Sequence, residues 1–301
     1  MSAPTQQSTG HRGGPRGPRP GMPATVLTSE RLTPEMVRLT LGGEPLPTHY
    51  RPDPHADSYV KLLFVPGSTD RTGAELLSAW TQPDGRIDLD AAREALPAEQ
   101  QPRMRTYTVR DWDGTRMVVD LVVHGTEGLA GPWADVAAPG DVVIVVGPGG
   151  GYSPDPDADH HLLAGDASAL PAIAVALERL PEDARGDAVI EVPGPAEAQS
   201  LTAPAGVRLH WVTGEPGAPG ASLIRTVRDL VWPEGRVQGF VHGEAGAVRE
   251  LRRYLRVDRA VPIADLSISG YWRLGGDDEA WRAGKREWLR AIEEAEAEAG
   301  L

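Results

Sequence analysis

Arg105-Thr106-Tyr107-Thr108-Val109-Arg110 brings a guanidinium, an aromatic ring and two hydroxyls into one short β-prone run. In an extended strand Arg105 and Tyr107 project to one face and Thr108 to the other. Thr108 must then act through its backbone N–H or through a twist at the strand end. Taken alone, the hexapeptide is an ordinary strand. It is also the set a flavin dinucleotide requires: a cation for the pyrophosphate, a flat surface for the tricyclic ring and donors for the ring's polar edge. The rest of the chain decides between the two.

Working outward, residues 24–146 hold six β-prone runs, at 24–27, 36–41, 59–65, 105–110, 117–123 and 142–146, with turn residues between them. Such a succession with little helix predicts an antiparallel barrel. Residues 67–102 are polar and Pro-bounded and look like a long excursion from it. Gly147-Pro148-Gly149-Gly150-Gly151 breaks the chain, and the rhythm then changes. Strands at 161–164, 188–192, 208–212 and 239–242 alternate with helical stretches at 169–180, 223–230 and 248–255, which predicts a parallel sheet flanked by helices. Trp281, Trp288, Leu289 and Ile292 mark an amphipathic helix within 277–301. The expected organisation is a disordered Gly/Pro/Arg tail over 1–22, a barrel over 23–150, an α/β domain over 151–265 and a C-terminal extension over 266–301.

Composition narrows the chemistry. The 301 residues suffice for two cores, and a net charge of −13 argues against nucleic acid as a partner. Without cysteine there is no disulfide, thiolate zinc site or cysteine-ligated iron–sulfur cluster, so electron transfer would need an organic cofactor. No apolar stretch reaches membrane-spanning length and the N-terminus has no signal-peptide core, so a cytoplasmic protein without membrane contact is expected. The eight histidines form no convincing metal set. His160 and His161 face opposite ways on a strand, while His49, His55 and Asp57 sit in a Pro-rich loop. No nucleophile elbow is present, which sets hydrolysis aside.

Three further segments carry possible chemistry. His124-Gly125-Thr126-Glu127-Gly128-Leu129-Ala130-Gly131-Pro132-Trp133-Ala134 follows an apolar strand, and its glycines allow close backbone approach to a ligand. Strand–turn–helix segments with glycines are nevertheless common. Gly165-Asp166-Ala167-Ser168 forms the first strand-to-helix turn of the α/β half, where nucleotides bind in doubly wound sheets. It is no G-x-G-x-x-G, and Asp166 or Ser168 equally suits a helix cap. Val241-His242-Gly243-Glu244 repeats the arrangement with the same two readings. Lys61, one of two lysines among 30 Lys and Arg, lies in an apolar strand. It supplies either a compact ammonium or an ordinary snorkelling side chain.

In order, these segments resemble the siderophore-interacting protein family, the flavin-dependent ferric-siderophore reductases of the ferredoxin-reductase-like superfamily. The resemblance runs from about Met22 to Trp288. It rests on residues 105–110, the 124–134 segment, Gly165-Asp166 to Leu170-Pro171-Ala172, Gly243-Glu244-Ala245 and Ser269-Gly270-Tyr271-Trp272-Arg273. It implies a Greek-key β-barrel that binds FAD, followed by a Rossmann-like domain for NAD(P)H. Arg105, with Thr106 beside it, falls at the flavin phosphate, Tyr107 at the ring and Thr108 at the ring edge. His124, Gly125, Ala130, Gly131 and Trp133 fall at the pyrophosphate and adenine side. Gly165, Asp166, Ser168 and Glu244 fall at the nucleotide turns of the second domain.

By the same resemblance Lys61, and more weakly Arg273, attract the anionic ferric siderophore. Ser168 replaces a frequent threonine, and His242 a usual small residue beside the nicotinamide. The implied activity carries electrons from NAD(P)H through FAD to chelated Fe(III), with ferredoxin as a possible donor. Monomer or dimer is left undetermined. The alternatives are a general flavin or quinone reductase and a non-catalytic siderophore binder. The choice between NADH and NADPH is left open: Glu191, at a strand end with no arginine just after it, could accept from a ribose 2′-OH, which favours NADH.

Overall fold

Alternating apolar positions on six strands give one inward face, and closing the sheet buries that face. The computed structural model describes residues 20–126, 128–298 and 300. Most of the expected N-terminal tail lies outside them. The first half runs β1 (Met22–Thr33), β2 (Met36–Gly42), α1 (Pro45–His49), β3 (Tyr59–Phe64), α2 (Ala74–Leu77), α3 (Leu89–Ala95), β4 (Arg103–Trp112), β5 (Met117–Val122), α4 (Ala130–Ala134) and β6 (Val142–Gly149). These strands close into a barrel of order β1-β2-β5-β4-β3-β6, antiparallel throughout. Its interior holds Val26, Leu39, Leu41, Val60, Leu62, Phe64, Val119, Leu121 and Val145.

Two parts of this half differ from the sequence expectation. Strand β1 starts at Met22, which pairs with Val145, and runs on through polar residues 28–31 to Thr33. That outer half is exposed, so no apolar alternation announced it. The segment expected to leave the barrel instead covers it. Leu77, Ile87, Leu89 and Leu96 pack on Leu63, Val65, Ile144 and Val146 of the outer wall.

The second half runs β7 (His160–Asp166), α5 (Leu170–Glu178), β8 (Arg185–Val192), β9 (Gly206–Thr213), α6 (Ala221–Asp229), β10 (Val237–Glu244), α7 (Ala245–Arg253), β11 (Leu266–Trp272) and α8 (Asp278–Glu298). Its sheet has the order β11-β10-β7-β8-β9 and is parallel throughout. Strand β11 lay within the expected C-terminal extension; it is the sheet's edge, paired with β10 from Leu266 to Trp272. Its Ser-Ile-Ser-Gly sequence is too short and mixed to announce a strand by pattern.

The two halves are tied by polar contacts. Glu197, after β8, accepts from Thr33 Oγ1 at 2.5 Å and from Glu35 N at 3.0 and 3.1 Å, gripping the β1–β2 turn. Arg110 on β4 pairs with Glu178 on α5, and Arg179 Nη1 donates to Pro54 O at 2.7 Å. Helix α8 lies on the far edge. Trp281 is buried against Gly270, where a Cβ would come within 2.8 Å of the indole, and Arg252 forks onto Glu296 at 2.5 and 2.8 Å.

Candidate functional site

Strand β4 pairs with β3 from Arg103 to Thr108, but β5 joins it only from Val109 onward. Beyond the Val109–Val119 pair, β5 continues along β2, so β4 and β5 diverge. Among the described residues, 103–108 therefore pair with β3 and with no second strand. The alternation read from the sequence holds. Arg105 and Tyr107 lie opposite Leu62 and Val60 on one face, and Thr106 and Thr108 lie opposite Lys61 and Tyr59 on the other. Tyr107 rests on the barrel core and Thr108 is buried.

Arg105 reaches beyond its own domain. Its Nη1 and Nη2 donate to Glu279 Oε1 and Oε2 on α8 at 2.6 and 3.1 Å, and Nη1 also donates to Met104 O. Burial works against the Glu279 carboxylate, yet the bonds from Arg105 hold its pKa below the usual range. Arg103 Nη1 stands 3.6 Å from the same carboxylate, and Arg282 Nη1 donates to Met104 O at 2.9 Å. The sequence gives no sign of this partnership, since 174 residues separate Arg105 from Glu279.

After β5, His124, Gly125 and Gly128 are exposed. Gly125 and Gly128 have φ of 60° and 86°, and a Cβ at either would meet nothing within 4 Å. The backbone there is open to a ligand. Half-buried Gly131 sits against Val122 O. Trp133 is a different matter. It is 2% exposed and meets Phe64 edge-on at 5.6 Å, and Ala130 is buried with it. Their side chains belong to the barrel core because α4 plugs the barrel, which leaves a cofactor contact from this segment to its backbone.

At the carboxyl end of the parallel sheet, Asp166 gathers three strands. One oxygen accepts from Ser168 N and Oγ; the other accepts from Glu244 N and Trp272 Nε1, each at 2.8 Å. Burial pushes its carboxyl up, against those bonds. Glu244 caps α7, taking Gly246 N and Ala247 N at 2.5 and 3.0 Å, in keeping with the macrodipole's preference for an anion there. Gly243 has φ of 140°, and a Cβ there would strike Asp166 Oδ2 at 2.6 Å. Gly165 likewise lets Ala169 and His242 O approach within 2.7 Å of where its Cβ would be. Asp166, Ser168, Gly165 and Glu244 thus converge, with their polar atoms engaged in shaping the turns.

Two other residues behave differently from expectation. Glu191 accepts from Gly220 N and Leu223 N at 2.6 and 2.9 Å, so the first turn of α6 holds the carboxylate expected at a ribose. His242 is buried, stacked on Phe240 at 3.9 Å and edge-on to Tyr271 at 4.9 Å, with Nε2 bonded to Ser267 Oγ and Nδ1 without a partner. Burial, helped by Lys285, pushes its pKa down to about 3, which keeps the ring neutral. Burial also raises the Tyr271 phenol, as do the charges of Asp57 and Asp166, and the ring packs on the cluster that holds Ala56, Tyr152 and Phe240. Lys61 shares the outer face of β3 with Tyr59, and exposed Arg273 follows β11 by one residue.

Among the described residues no group of three His, Asp or Glu is placed to hold a metal ion, and no helix is long and apolar enough to cross a membrane. His160 and His55 bond to Asp187 and Asp53 instead. The donor set suits an anionic dinucleotide: a guanidinium, hydroxyls, an aromatic ring and open glycine backbone. The Glu279 carboxylate on Arg105 stands against it.

Comparison with known proteins gives the family and the fold. Residues 25–152 match the siderophore-interacting FAD-binding domain, and residues 158–275 match the siderophore-interacting protein domain. An uncharacterized protein of Mycobacterium tuberculosis is 43% identical over 90% of this chain and 95% of its own length. Ferric vibriobactin reductase ViuB of Vibrio cholerae is 29% identical over 82% of this chain and 87% of its own. The crystal structure of the siderophore-interacting protein SipS from Aeromonas hydrophila superposes with a TM-score of 0.73 at 29% identity, covering 91% of this chain and 99% of SipS. The flavohaem-like FAD/NAD binding domain of a Vibrio cholerae nitric oxide dioxygenase shares the fold alone, at 14% identity and a TM-score of 0.57.

Proposed function

The chain belongs to the siderophore-interacting protein family, with an FAD-binding barrel on a ferredoxin-reductase-like fold, and from that premise we propose that it reduces ferric siderophores with electrons from NAD(P)H. FAD held at this site would supply the chemistry of taking a hydride from nicotinamide and giving single electrons to ferric iron, and reduction would weaken the chelator's hold on the metal. The observation that carries this assignment is the stretch of β4 that pairs with β3 alone among the described strands and bears Arg105, Tyr107 and Thr108.

The chain's own residues supply position and charge. Arg105 holds the pyrophosphate through charge-assisted bonds, and the backbone around His124, Gly125 and Gly131 offers further N–H donors. Tyr107 supplies a flat surface for the flavin ring, while Thr106 and Thr108 shape the strand beside the ring's polar edge. Asp166, Ser168 and Glu244 act indirectly. By bonding to one another and to Trp272 they hold the tips of β7, β10 and β11 in one shape, with Gly165 allowing close approach. The neutral phenol of Tyr271 and the neutral imidazole of His242 place no charge at the seam between the domains.

A protein of net charge −13 repels an anionic chelate at long range, so attraction must be local. Lys61 and Arg273 provide it. Lys61→Ala should raise KM for an anionic ferric chelate about three- to tenfold, the effect of one partly screened charge, while FAD content stays unchanged. An unchanged KM would remove Lys61 from the substrate site. The same assays compare ferric siderophore with free flavin and a quinone. A higher kcat/KM for the chelate supports the assignment, and a preference for free flavin or quinone makes the protein a general reductase.

A further inference from the structure

Resting on the assignment of Arg105 to the flavin phosphate, we propose that Glu279 on the first turn of α8 sets the cofactor affinity of the β4 site by competing for that arginine. The carboxylate takes Nη1 and Nη2 at 2.6 and 3.1 Å, and Met104 O takes Nη1 at 3.1 Å. This is the fork geometry in which a guanidinium binds a phosphate group. The Arg105 side chain is 14% exposed and that of Glu279 38%, so the pair is only partly screened. A pyrophosphate arriving at Arg105 meets an anion already seated on the donors it needs, and two anions a few ångströms apart repel.

The surroundings provide for an exchange. Arg103 Nη1 lies 3.6 Å from Glu279 Oε2, so a displaced carboxylate has a second cation within reach. Arg282, one turn further along α8, is anchored on Met104 O and keeps Glu279 near β4. The competitor is therefore intramolecular and acts at high effective concentration. Trp281, between them in sequence, is buried against Gly270 of β11, so the seating of α8 on the sheet is coupled to the occupancy of Arg105. Phosphate-bearing flavins face this competition, whereas riboflavin, which carries no phosphate, does not.

The test is titration of the flavin-free full-length chain with FAD and with riboflavin, read by flavin fluorescence. It uses the parent, Glu279→Gln, Arg105→Ala and the double variant. Glutamine keeps the side chain's size and its helix propensity while removing the charge. Glu279→Gln should bind FAD about five- to tenfold tighter, the range for a partly screened charge-assisted pair, with riboflavin affinity unchanged. On the Arg105→Ala background the same substitution should change nothing. If Glu279→Gln binds FAD no tighter than the parent, or more weakly, while Arg105→Ala still loses it, competition is overturned and the phosphate role of Arg105 stands. If Arg105→Ala holds FAD as tightly as the parent, the phosphate assignment itself fails, and the competition with it.

Discussion

Arg105→Ala should release FAD from the protein, with an affinity loss on the order of 100-fold. The guanidinium is held in place from two sides, by Met104 O and by the first turn of α8. Two charge-assisted bonds to a pyrophosphate contribute about 2–3 kcal/mol, and each 1.4 kcal/mol is tenfold in affinity. The fold should survive. Removing Arg105 leaves Glu279 without its strongest partner, but that side chain is partly exposed and Arg103 remains beside it, so the cost is under about 1 kcal/mol. Dialysis followed by measurement of bound flavin checks the loss, and far-UV circular dichroism checks the fold. A folded variant that stays fully loaded through dialysis would contradict the phosphate role.

Trp133→Ala should cost stability first and cofactor only as a consequence. The indole is 2% exposed, meets Phe64 edge-on at 5.6 Å and sits in the barrel's core cluster. Truncating such a ring leaves a cavity worth about 3–5 kcal/mol, a large part of a domain's margin. Urea unfolding should show a large fall in midpoint, and Trp133→Phe should recover part of it by refilling the space. If Trp133→Ala unfolds at the parent's urea concentration yet binds FAD poorly, the indole is a ligand contact and its placement in the core is wrong.

Much of the architecture was legible because periodicity records burial. The alternation on β2, β3 and β5, and the strand–helix rhythm after residue 158, came directly from apolar spacing. The outer half of β1 and the whole of β11 escaped because an exposed hairpin arm and a short edge strand bury too little to leave a pattern. In the candidate site, the sequence named Arg105, Tyr107, Thr108, Gly125, Asp166 and Glu244, and the structure places them on β4, in the turn after β5 and at the sheet tips. It could not say what their polar atoms bind. Asp166 and Glu244 bond to backbone N–H groups and to Trp272, Glu191 caps α6, and Trp133 fills the barrel, all of which depend on packing across long sequence separations. The Glu279–Arg105 pair is the extreme case, joining an acidic position of an amphipathic helix to a strand of the other domain.

The central assignment is that this chain moves electrons from a nicotinamide cofactor through FAD to chelated iron. The most direct measurement is the visible spectrum of the purified, FAD-loaded protein under anaerobic conditions, with NADH or NADPH added and then a ferric siderophore. The yellow absorbance should bleach with one of the two nicotinamides and return on adding the chelate, with two equivalents of ferrous iron trapped per flavin. A chain that takes up no FAD, or a bleached flavin that the ferric chelate leaves unchanged, would contradict it.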